Sequence, residues 1–255
     1  MSLLTVKNIH AGYRNKNIIR DINFVVDRGE IIALLGLNGT GKTTLLKVIS
    51  GLIKPQEGVC LIGDRLISQL KERERARRIS YIPQRNSIIY DTQVLDVVLM
   101  GITPYLRSFE SPTKLHRKHA YQSLQAVGME RYANDNFLTL SEGQKQLVLI
   151  SRSLLQNAEI MLFDEPDSSL DYKNKHMVLN IIRGIIRKQG KGGIITLHDP
   201  NYALSYCDRI LILDGGSIIS QLDNKKVRKE DLYRIFRRIY GNIDIIQHKN
   251  NYVMV

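Results

Sequence analysis

The 255-residue chain is 43% hydrophobic and 24% charged, a balance typical of a folded protein with a substantial core, and no apolar run approaches the roughly 18 residues of a membrane span. Its two cysteines show neither metal-ligand spacing nor a disulfide framework, which favours a reducing, cytoplasmic setting. The net charge of +12 has three explanations: a solvated basic surface, which we favour, attraction to an anionic membrane leaflet, or nucleic-acid binding, for which no motif is recognisable.

The first elements predicted along the chain are a strand and then a strand–turn–helix unit. Residues 1–7 lack the basic and long apolar regions of a signal peptide, so we expect a first strand there. Residues 30–35 form a short apolar run, and after a glycine-rich turn the apolar residues of Thr43–Ser50 are spaced for one helical face. Gly51 and Pro55 predict the end of that helix.

The middle of the chain is predicted to be helical. Residues 71–78 alternate in charge sign, which is typical of an exposed, salt-bridged helix. From Asn86 to Gln156 strand patterns are few and amphipathic helical patterns are common, for example over Leu115–Val127. We therefore predict a helical insertion over residues 86–156.

The last part of the chain returns to strand patterns. Three continuous apolar runs are of the type buried in mostly parallel sheets, at residues 160–163, 193–197 and 209–213. Asp214–Ser217 predicts a hairpin turn. After a second basic cluster at residues 225–229, we predict a short helix over Asp231–Tyr240 and a strand pair over Ile243–Val255.

Residues 36–44, Gly-Leu-Asn-Gly-Thr-Gly-Lys-Thr-Thr, match the phosphate-binding P-loop. Its glycines let the backbone curl so that N–H groups point at phosphate oxygens, and the following helix presents its N-terminus to the same anion. Lys42 is expected to place its charge on the β- and γ-phosphates of ATP, and Thr43 to offer its hydroxyl to Mg²⁺. The residues expected to bind nucleotide here are Gly36, Asn38, Gly39, Gly41, Lys42, Thr43 and Thr44.

Two adjacent carboxylates follow the apolar run at residues 160–163. Asp164 suits Mg²⁺, and Glu165 would orient and deprotonate the attacking water. His198 follows the run at 193–197 and is placed to stabilise charge on the γ-phosphate, whereas Gln84, after another strand, suits Mg²⁺ or the attacking water. Each pattern alone is weak, but beside a P-loop they predict a hydrolytic centre.

Together these residues resemble an ATP-binding-cassette (ABC) ATPase over nearly the whole chain. The most specific element is the pentapeptide at residues 140–144, Leu-Ser-Glu-Gly-Gln, which is similar to the family signature Leu-Ser-Gly-Gly-Gln. A helix is expected after it, over Lys145–Gln156. The resemblance implies that Ser141, Gly143 and Gln144 contact nucleotide.

Other residues match further motifs of the family. Tyr13 matches the aromatic residue that stacks on adenine, although it is one of 12 tyrosines. The remaining matches are Walker B at 164–166, the D-loop at 168–171, the Q-loop glutamine at Gln84 and the switch histidine at His198. The chain departs from the family pattern at Glu142, which replaces a signature glycine, and at Asp167 and Ser169. Because a carboxylate facing the γ-phosphate is unfavourable, we predict that Glu142 points away from it.

The resemblance implies an α/β fold: a P-loop NTPase (ABC ATPase) with a mostly parallel core sheet, an N-terminal antiparallel β part and an inserted α-helical subdomain. Within a single domain, 1–255, it implies a RecA-like core over about 1–85 and 157–222, the helical subdomain over 86–156 and a C-terminal extension over 223–255. It also implies a head-to-tail homodimer that sandwiches ATP and Mg²⁺, with Gln84 at the hinge through which the helical subdomain moves a membrane permease.

A narrower resemblance lies in the insertion. Residues 94–106, Val-Leu-Asp-Val-Val-Leu-Met-Gly-Ile-Thr-Pro-Tyr-Leu, are similar to a segment of ATPases that energise import of iron–siderophore, haem and cobalamin complexes, although Ile102 replaces the usual arginine. This implies permease subunits, an extracytoplasmic substrate-binding protein and a location at the cytoplasmic face of the membrane. The favoured cargo is a ferric siderophore, followed by haem, cobalamin and oxyanions such as molybdate.

Two other classes of function stay open. A non-transport ABC ATPase acting on DNA or ribosomes would suit the basic charge, but such proteins usually carry coiled coils, zinc modules or two cassettes, so no nucleic-acid partner is expected. A regulatory ATP-binding module without hydrolysis is disfavoured by the intact set of Lys42, Asp164, Glu165 and His198.

Overall fold

The fold is built on two sheets and the helices between and around them. The computed structural model describes residues 2–13, 16–84, 88, 90–248 and 251–255. Its strands are β1 Ser2–Tyr13, β2 Lys16–Asp27, β3 Ile31–Leu35, β4 Glu57–Ile62, β5 Arg65–Leu66, β6 Ile79–Ile82, β7 Ile160–Phe163, β8 Gly192–Thr196, β9 Arg209–Asp214, β10 Ser217–Asp223, β11 Ile245–His248 and β12 Asn251–Met254. Its helices are α1 Lys42–Ile49, α2 Glu72–Arg78, α3 Val94–Leu99, α4 Lys114–Gln125, α5 Glu142–Gln156, α6 Tyr172–Gln189, α7 Pro200–Tyr206 and α8 Lys229–Tyr240.

The larger sheet has the strand order β10-β9-β3-β8-β7-β6 and is parallel except for the antiparallel pair of β9 and β10. Both faces of its centre are buried, since Ala33 and Leu35 of β3 belong to one core cluster and Ile32 and Leu34 to another. Two-sided burial explains why these strands are continuous apolar runs. The predicted parallel sheet is thus confirmed, as is the hairpin in which Asp214 pairs with Ser217.

The smaller sheet is the predicted N-terminal antiparallel part, with the strand order β2-β1-β4-β5. Its buried side chains, such as Val6 and Ile22, share a core cluster with Leu45 and Leu46 of α1 and with one face of the larger sheet. Helix α1 is therefore packed in the core that the two sheets share, and this fixes the turn that precedes it.

The predicted helical insertion consists of α3, α4, α5 and short 3-10 turns between β6 and β7. Its predicted start at residue 86 lies outside the described residues. Helix α5 begins at Glu142, three residues before the predicted start at Lys145. The reason is a capping box, in which the Gln144 N–H donates to Ser141 Oγ and the Ser141 N–H donates to Gln144 Oε1.

Helix α2 carries the alternating charges of residues 71–78, but its ion pairs run to other segments instead of along the helix. Glu74 pairs with Arg65 of β5, and Arg78 pairs with Glu159 at 3.3 Å. The prediction of an exposed, salt-bridged helix is therefore confirmed for the described residues, since none of its residues is buried and both ion pairs form. The charges link α2 to its neighbours in the fold.

The C-terminal extension contains the predicted helix and strand pair, as α8 and the hairpin of β11 and β12. Leu232, Phe236 and Ile245 of the extension are fully buried in the core cluster that also contains Ile195 of β8. The extension is therefore part of the main core and not an appended tail. Among the described residues, none of the helices combines the length and the apolar character that crossing a membrane requires.

Candidate functional site

Four neighbouring parallel strands deliver the predicted site residues to one edge of the larger sheet. Strand β3 leads into the P-loop, β8 ends at Thr196 two residues before His198, β7 ends before Asp164, and β6 ends two residues before Gln84. Because the strands are parallel, their carboxyl ends lie side by side, which is where open α/β sheets bind ligands.

The P-loop turns depend on glycine at two positions. Gly36 has a positive φ of 152°, and a Cβ added there would lie 2.2 Å from the carbonyl oxygen of Leu213. Gly41 has a φ of 104°, precedes α1, and a Cβ there would lie 2.5 Å from the side chain of Ile19. Both positions exclude other residues by steric overlap and by backbone conformation.

Lys42 is only 5% exposed and donates from Nζ to the carbonyl oxygens of Gly36 at 2.7 Å and Leu37 at 3.2 Å. Burial lowers the pKa of Lys42, while the carboxylates of Glu165 and Asp164 oppose that shift. The ammonium group is thus held inside the loop, within reach of the two acidic side chains.

An open cavity of about 290 Å³ lies against the P-loop. Tyr13 contributes to its wall and is 47% exposed, so its ring is available for stacking. The other lining residues are Ile18, Asn38, Gly39, Thr40, Gly41, Lys42, Thr43, Thr44 and Glu165. The structure therefore gathers Tyr13 and most of the predicted P-loop ligands around one space.

Asp164 is 2% exposed and is surrounded by hydroxyl groups. Its Oδ1 accepts from Thr43 Oγ1 at 3.1 Å and from Thr196 Oγ1 at 3.0 Å, and its Oδ2 accepts from the Tyr81 hydroxyl at 3.0 Å. Burial raises the pKa of Tyr81, and the Asp164 charge adds to that shift. The close pair of Thr43 and Asp164 offers the hard oxygen donors that Mg²⁺ prefers.

Glu165 is the point at which the site residues converge. Its backbone has a φ of 48°, unusual for a residue with a side chain, and its N–H donates to Thr196 Oγ1 at 2.7 Å. Its Oε1 lies 2.7 Å from His198 Nε2, and its Oε2 accepts a hydrogen bond from Gln84 Nε2. The structure thus places the Gln84 amide against the Glu165 carboxylate, and its predicted part in holding Mg²⁺ stays a prediction.

The signature residues do not line the P-loop cavity of their own chain. Ser141 and Gln144 cap the start of α5, and Gly143 packs against Asn174 of α6, whose side chain would lie 3.4 Å from an added Cβ. Glu142 is exposed, and its carboxylate accepts from Lys145 Nζ at 2.8 Å. Whether Glu142 points away from a bound phosphate stays a prediction.

The start of α5 instead borders a second cavity, of about 230 Å³, together with residues 165–170 after β7, here called the catalytic loop. Its lining residues are Gln84, Glu142, Lys145, Gln146, Glu165, Pro166, Ser168, Ser169 and Leu170. Among the described lining residues, Glu165 is the one common to this cavity and the P-loop cavity.

Three residues of this region were not predicted from the sequence: Tyr81, Thr196 and Ile18. Tyr81 and Thr196 lie near the ends of β6 and β8, the same position that singled out Gln84 and His198. Thr196 could therefore have been predicted, because it is a polar residue at the end of an apolar strand next to the P-loop strand. Ile18, an apolar wall of the P-loop cavity, carries no comparable indication in the sequence.

Comparison with known proteins agrees with this geometry. Residues 19–168 match the ABC transporter family. The chain is 36% identical to a probable iron chelatin transport ATP-binding protein of Helicobacter pylori, over 86% of each chain. It is 32% identical to a phosphonates import ATP-binding protein of Fusobacterium nucleatum, over 92% of this chain and 98% of that protein.

Solved structures of ABC transporter proteins share this fold. A structure described as an inward-facing metal-chelate type ABC transporter superposes with a TM-score of 0.83 at 27% identity, covering 100% of this chain and 96% of the other. A dimeric ATP-binding cassette with bound ADP and phosphate superposes with a TM-score of 0.77 at 27% identity, covering 88% and 100%.

The fold and the P-loop site define a P-loop ATPase of the α/β class. Within that class the chain belongs to the ABC transporter family, as an ATP-binding subunit whose ATPase activity is coupled to transport. Members of this family form cassette dimers and work with membrane permease subunits.

We predict that Thr196→Val destabilises the fold and impairs ATP hydrolysis. Thr196 is fully buried, so the variant leaves the Glu165 N–H without its acceptor and Asp164 without one donor. Loss of such partners costs about 1–3 kcal/mol of unfolding free energy, measurable by denaturant titration. Thr196→Ser keeps the hydroxyl and serves as the control. A valine variant as stable and as active as the serine variant would contradict the role given to this hydroxyl.

Proposed function

We propose that this chain is the ATP-hydrolysing subunit of an importer for an iron–siderophore or a related metal chelate such as haem or cobalamin. The observation that carries the catalytic part is the convergence of Gln84 and His198 on Glu165, beside the P-loop cavity. The cargo class is supported by residues 94–106, by the Helicobacter relative and by the metal-chelate type structural neighbour.

In this proposal Glu165 orients the attacking water and accepts its proton. Positioned general bases contribute about 10²–10⁴-fold to such reactions. Lys42 and His198 stabilise charge on the γ-phosphate, the backbone N–H groups of the P-loop bind the phosphates, and Tyr13 stacks on adenine. Gln84 holds the Glu165 carboxylate and links the catalytic loop to the helical subdomain over residues 86–156.

The Thr43 hydroxyl and the Asp164 carboxylate would hold Mg²⁺, with Gln84 as a third candidate ligand. Their oxygen donors and their 3.1 Å separation support this assignment. The ion would neutralise phosphate charge and orient the nucleotide. Asp164 is kept in place for this purpose by Tyr81 and Thr196, which donate to it from neighbouring strands.

The nucleotide site becomes complete in a head-to-tail homodimer. The signature residues Ser141, Gly143 and Gln144 do not line the P-loop cavity of their own chain, and the N-terminus of α5 favours an anion. A second copy would bring them to the γ-phosphate bound by the first. ATP then favours the closed pair because it contacts both chains only there.

The assembled transporter in this proposal contains permease subunits and an extracytoplasmic substrate-binding protein, with the ATPase at the cytoplasmic face of the membrane. The core over residues 1–85 and 157–222 binds nucleotide, and the helical subdomain transmits motion to the permease. No nucleic-acid partner takes part, since the basic surface accompanies no nucleic-acid-binding motif.

Import of a phosphonate or another oxyanion is the second candidate. It is favoured by the relative from Fusobacterium nucleatum, whose name assigns it to phosphonate import. The ATPase does not contact the cargo in either case, so the choice rests with the permease and the binding protein.

We predict that Glu165→Gln binds ATP, accumulates as a closed dimer and hydrolyses ATP almost not at all. The amide keeps the size of the side chain but cannot accept the proton of the attacking water. Size-exclusion chromatography with and without Mg-ATP measures the dimer, and phosphate release measures the rate. Lys42→Ala is the matched control, expected to lose nucleotide binding and to stay monomeric. Normal turnover by the glutamine variant would refute the role of Glu165.

Uptake assays decide between the cargo classes. We predict that cells dependent on this transporter accumulate labelled ferric siderophore, haem or cobalamin, and that uptake is lost with Glu165→Gln. Labelled phosphonate and molybdate are the comparison substrates in the same cells. Accumulation of an oxyanion, with none of the three chelates taken up, would overturn the metal-chelate assignment and leave the ATPase assignment intact.

A further inference from the structure

The C-terminal hairpin is bonded to the helix that follows the predicted switch histidine. Asn201 lies in the first turn of α7, three residues after His198. Its Nδ2 donates to the carbonyl oxygen of Met254 at 3.0 Å, and the Met254 N–H donates to its Oδ1 at 2.8 Å. One side chain thus satisfies both backbone groups of a residue near the end of the chain.

The hydrogen bonds between Asn201 and Met254 tie a short helix, α7, to the C-terminal hairpin. Helix α7 covers only Pro200–Tyr206, and its N-cap is Asp199, whose carboxylate accepts from the Asn201 N–H at 2.8 Å. Burial raises the pKa of Tyr240 in α8 to about 12, with the nearby charge of Asp199 adding to the shift. The hydroxyl of Tyr240 is buried without a hydrogen-bond partner. The extension therefore packs close to the residues immediately after His198.

The His198 side chain itself has little else to fix it. It is 43% exposed, its Nε2 lies 2.7 Å from Glu165 Oε1, and it lies near the buried Asp167 carboxyl. With so few contacts, the orientation of its imidazole depends on the backbone around it. That backbone is held on one side by the Leu197 N–H, which donates to the carbonyl oxygen of Leu34 at 3.2 Å, and on the other by the first turn of α7, which Asn201 bonds to β12.

We propose that Asn201 is a positioning residue for hydrolysis, which uses the C-terminal strand β12 to hold His198 against Glu165. The inference rests on the proposed roles of Glu165 and His198. It gives the C-terminal extension a part in catalysis, although none of the extension's described residues lines the P-loop cavity or the cavity beside the signature helix.

The test compares Asn201→Ala with Asn224→Ala. Asn224 donates from Nδ2 to the carbonyl oxygens of Ala203 at 3.0 Å and Cys207 at 2.8 Å, so it anchors the opposite end of the same helix. Both variants remove side-chain bonds to the α7 region, and both are expected to lower the melting temperature by a similar amount. Only Asn201→Ala is expected to lower kcat, by about tenfold with KM for ATP within about twofold, because a displaced catalytic group affects the transition state and not nucleotide binding.

A chain ending at Val253 provides a second variant in case the alanine variant folds poorly. It removes the Met254 partner of Asn201 and keeps the buried Ile245, so the same loss of kcat is expected. Equal kcat values for the Asn201 and Asn224 variants, together with normal kcat in the shortened chain, would overturn the inference.

His198→Ala separates failure of the inference from failure of the proposed function. If the His198 variant also keeps full kcat, the role given to His198 is wrong. If the His198 variant alone is inactive, only the role given to Asn201 is wrong.

Discussion

The Thr196 hydroxyl is the contact on which the arrangement of the site depends. It accepts from the Glu165 N–H and donates to Asp164 Oδ1, so one buried oxygen links the ends of β7 and β8. The same two bonds help to orient the adjacent carboxylates in different directions. Asp164 is directed toward Thr43 and the P-loop, whereas Glu165, with its φ of 48°, is directed toward Gln84 and His198. Such a backbone conformation persists only where neighbouring contacts hold it.

The same geometry divides the site between two surfaces. The P-loop, Tyr13 and Glu165 line one cavity, and the start of the signature helix borders another that Glu165 also lines. Ser141 does not line the first cavity of its own chain, and in the proposed head-to-tail dimer it would act on a nucleotide held by the second copy. Bound ATP would then stabilise the closed dimer, and ATP hydrolysis would let the two chains separate.

Where local patterns decide the outcome, the sequence predicted the fold and indicated which residues the strand ends bring together; their roles stay predictions. Buried parallel strands leave continuous apolar runs, and a P-loop needs glycines whose added Cβ atoms would clash, as at Gly36. Tertiary contacts were not predictable in the same way. Nothing local indicates that Tyr81 and Thr196 both reach Asp164 or that Gln84 bonds Glu165. The early start of α5 is different, because Ser141 and Gln144 have the spacing of a capping box and so indicate that start locally. Nor does sequence spacing reveal that Asn201 meets Met254 across the fold.

The most direct test of this account is the ATPase activity per chain as a function of protein concentration at saturating Mg-ATP. If the signature helix of one copy completes the nucleotide site of another, the activity per chain rises with concentration and falls toward zero on dilution, because dimers dissociate. Activity per chain that stays constant down to concentrations at which only monomers are present would contradict the account, since a single chain would then contain a complete hydrolytic site.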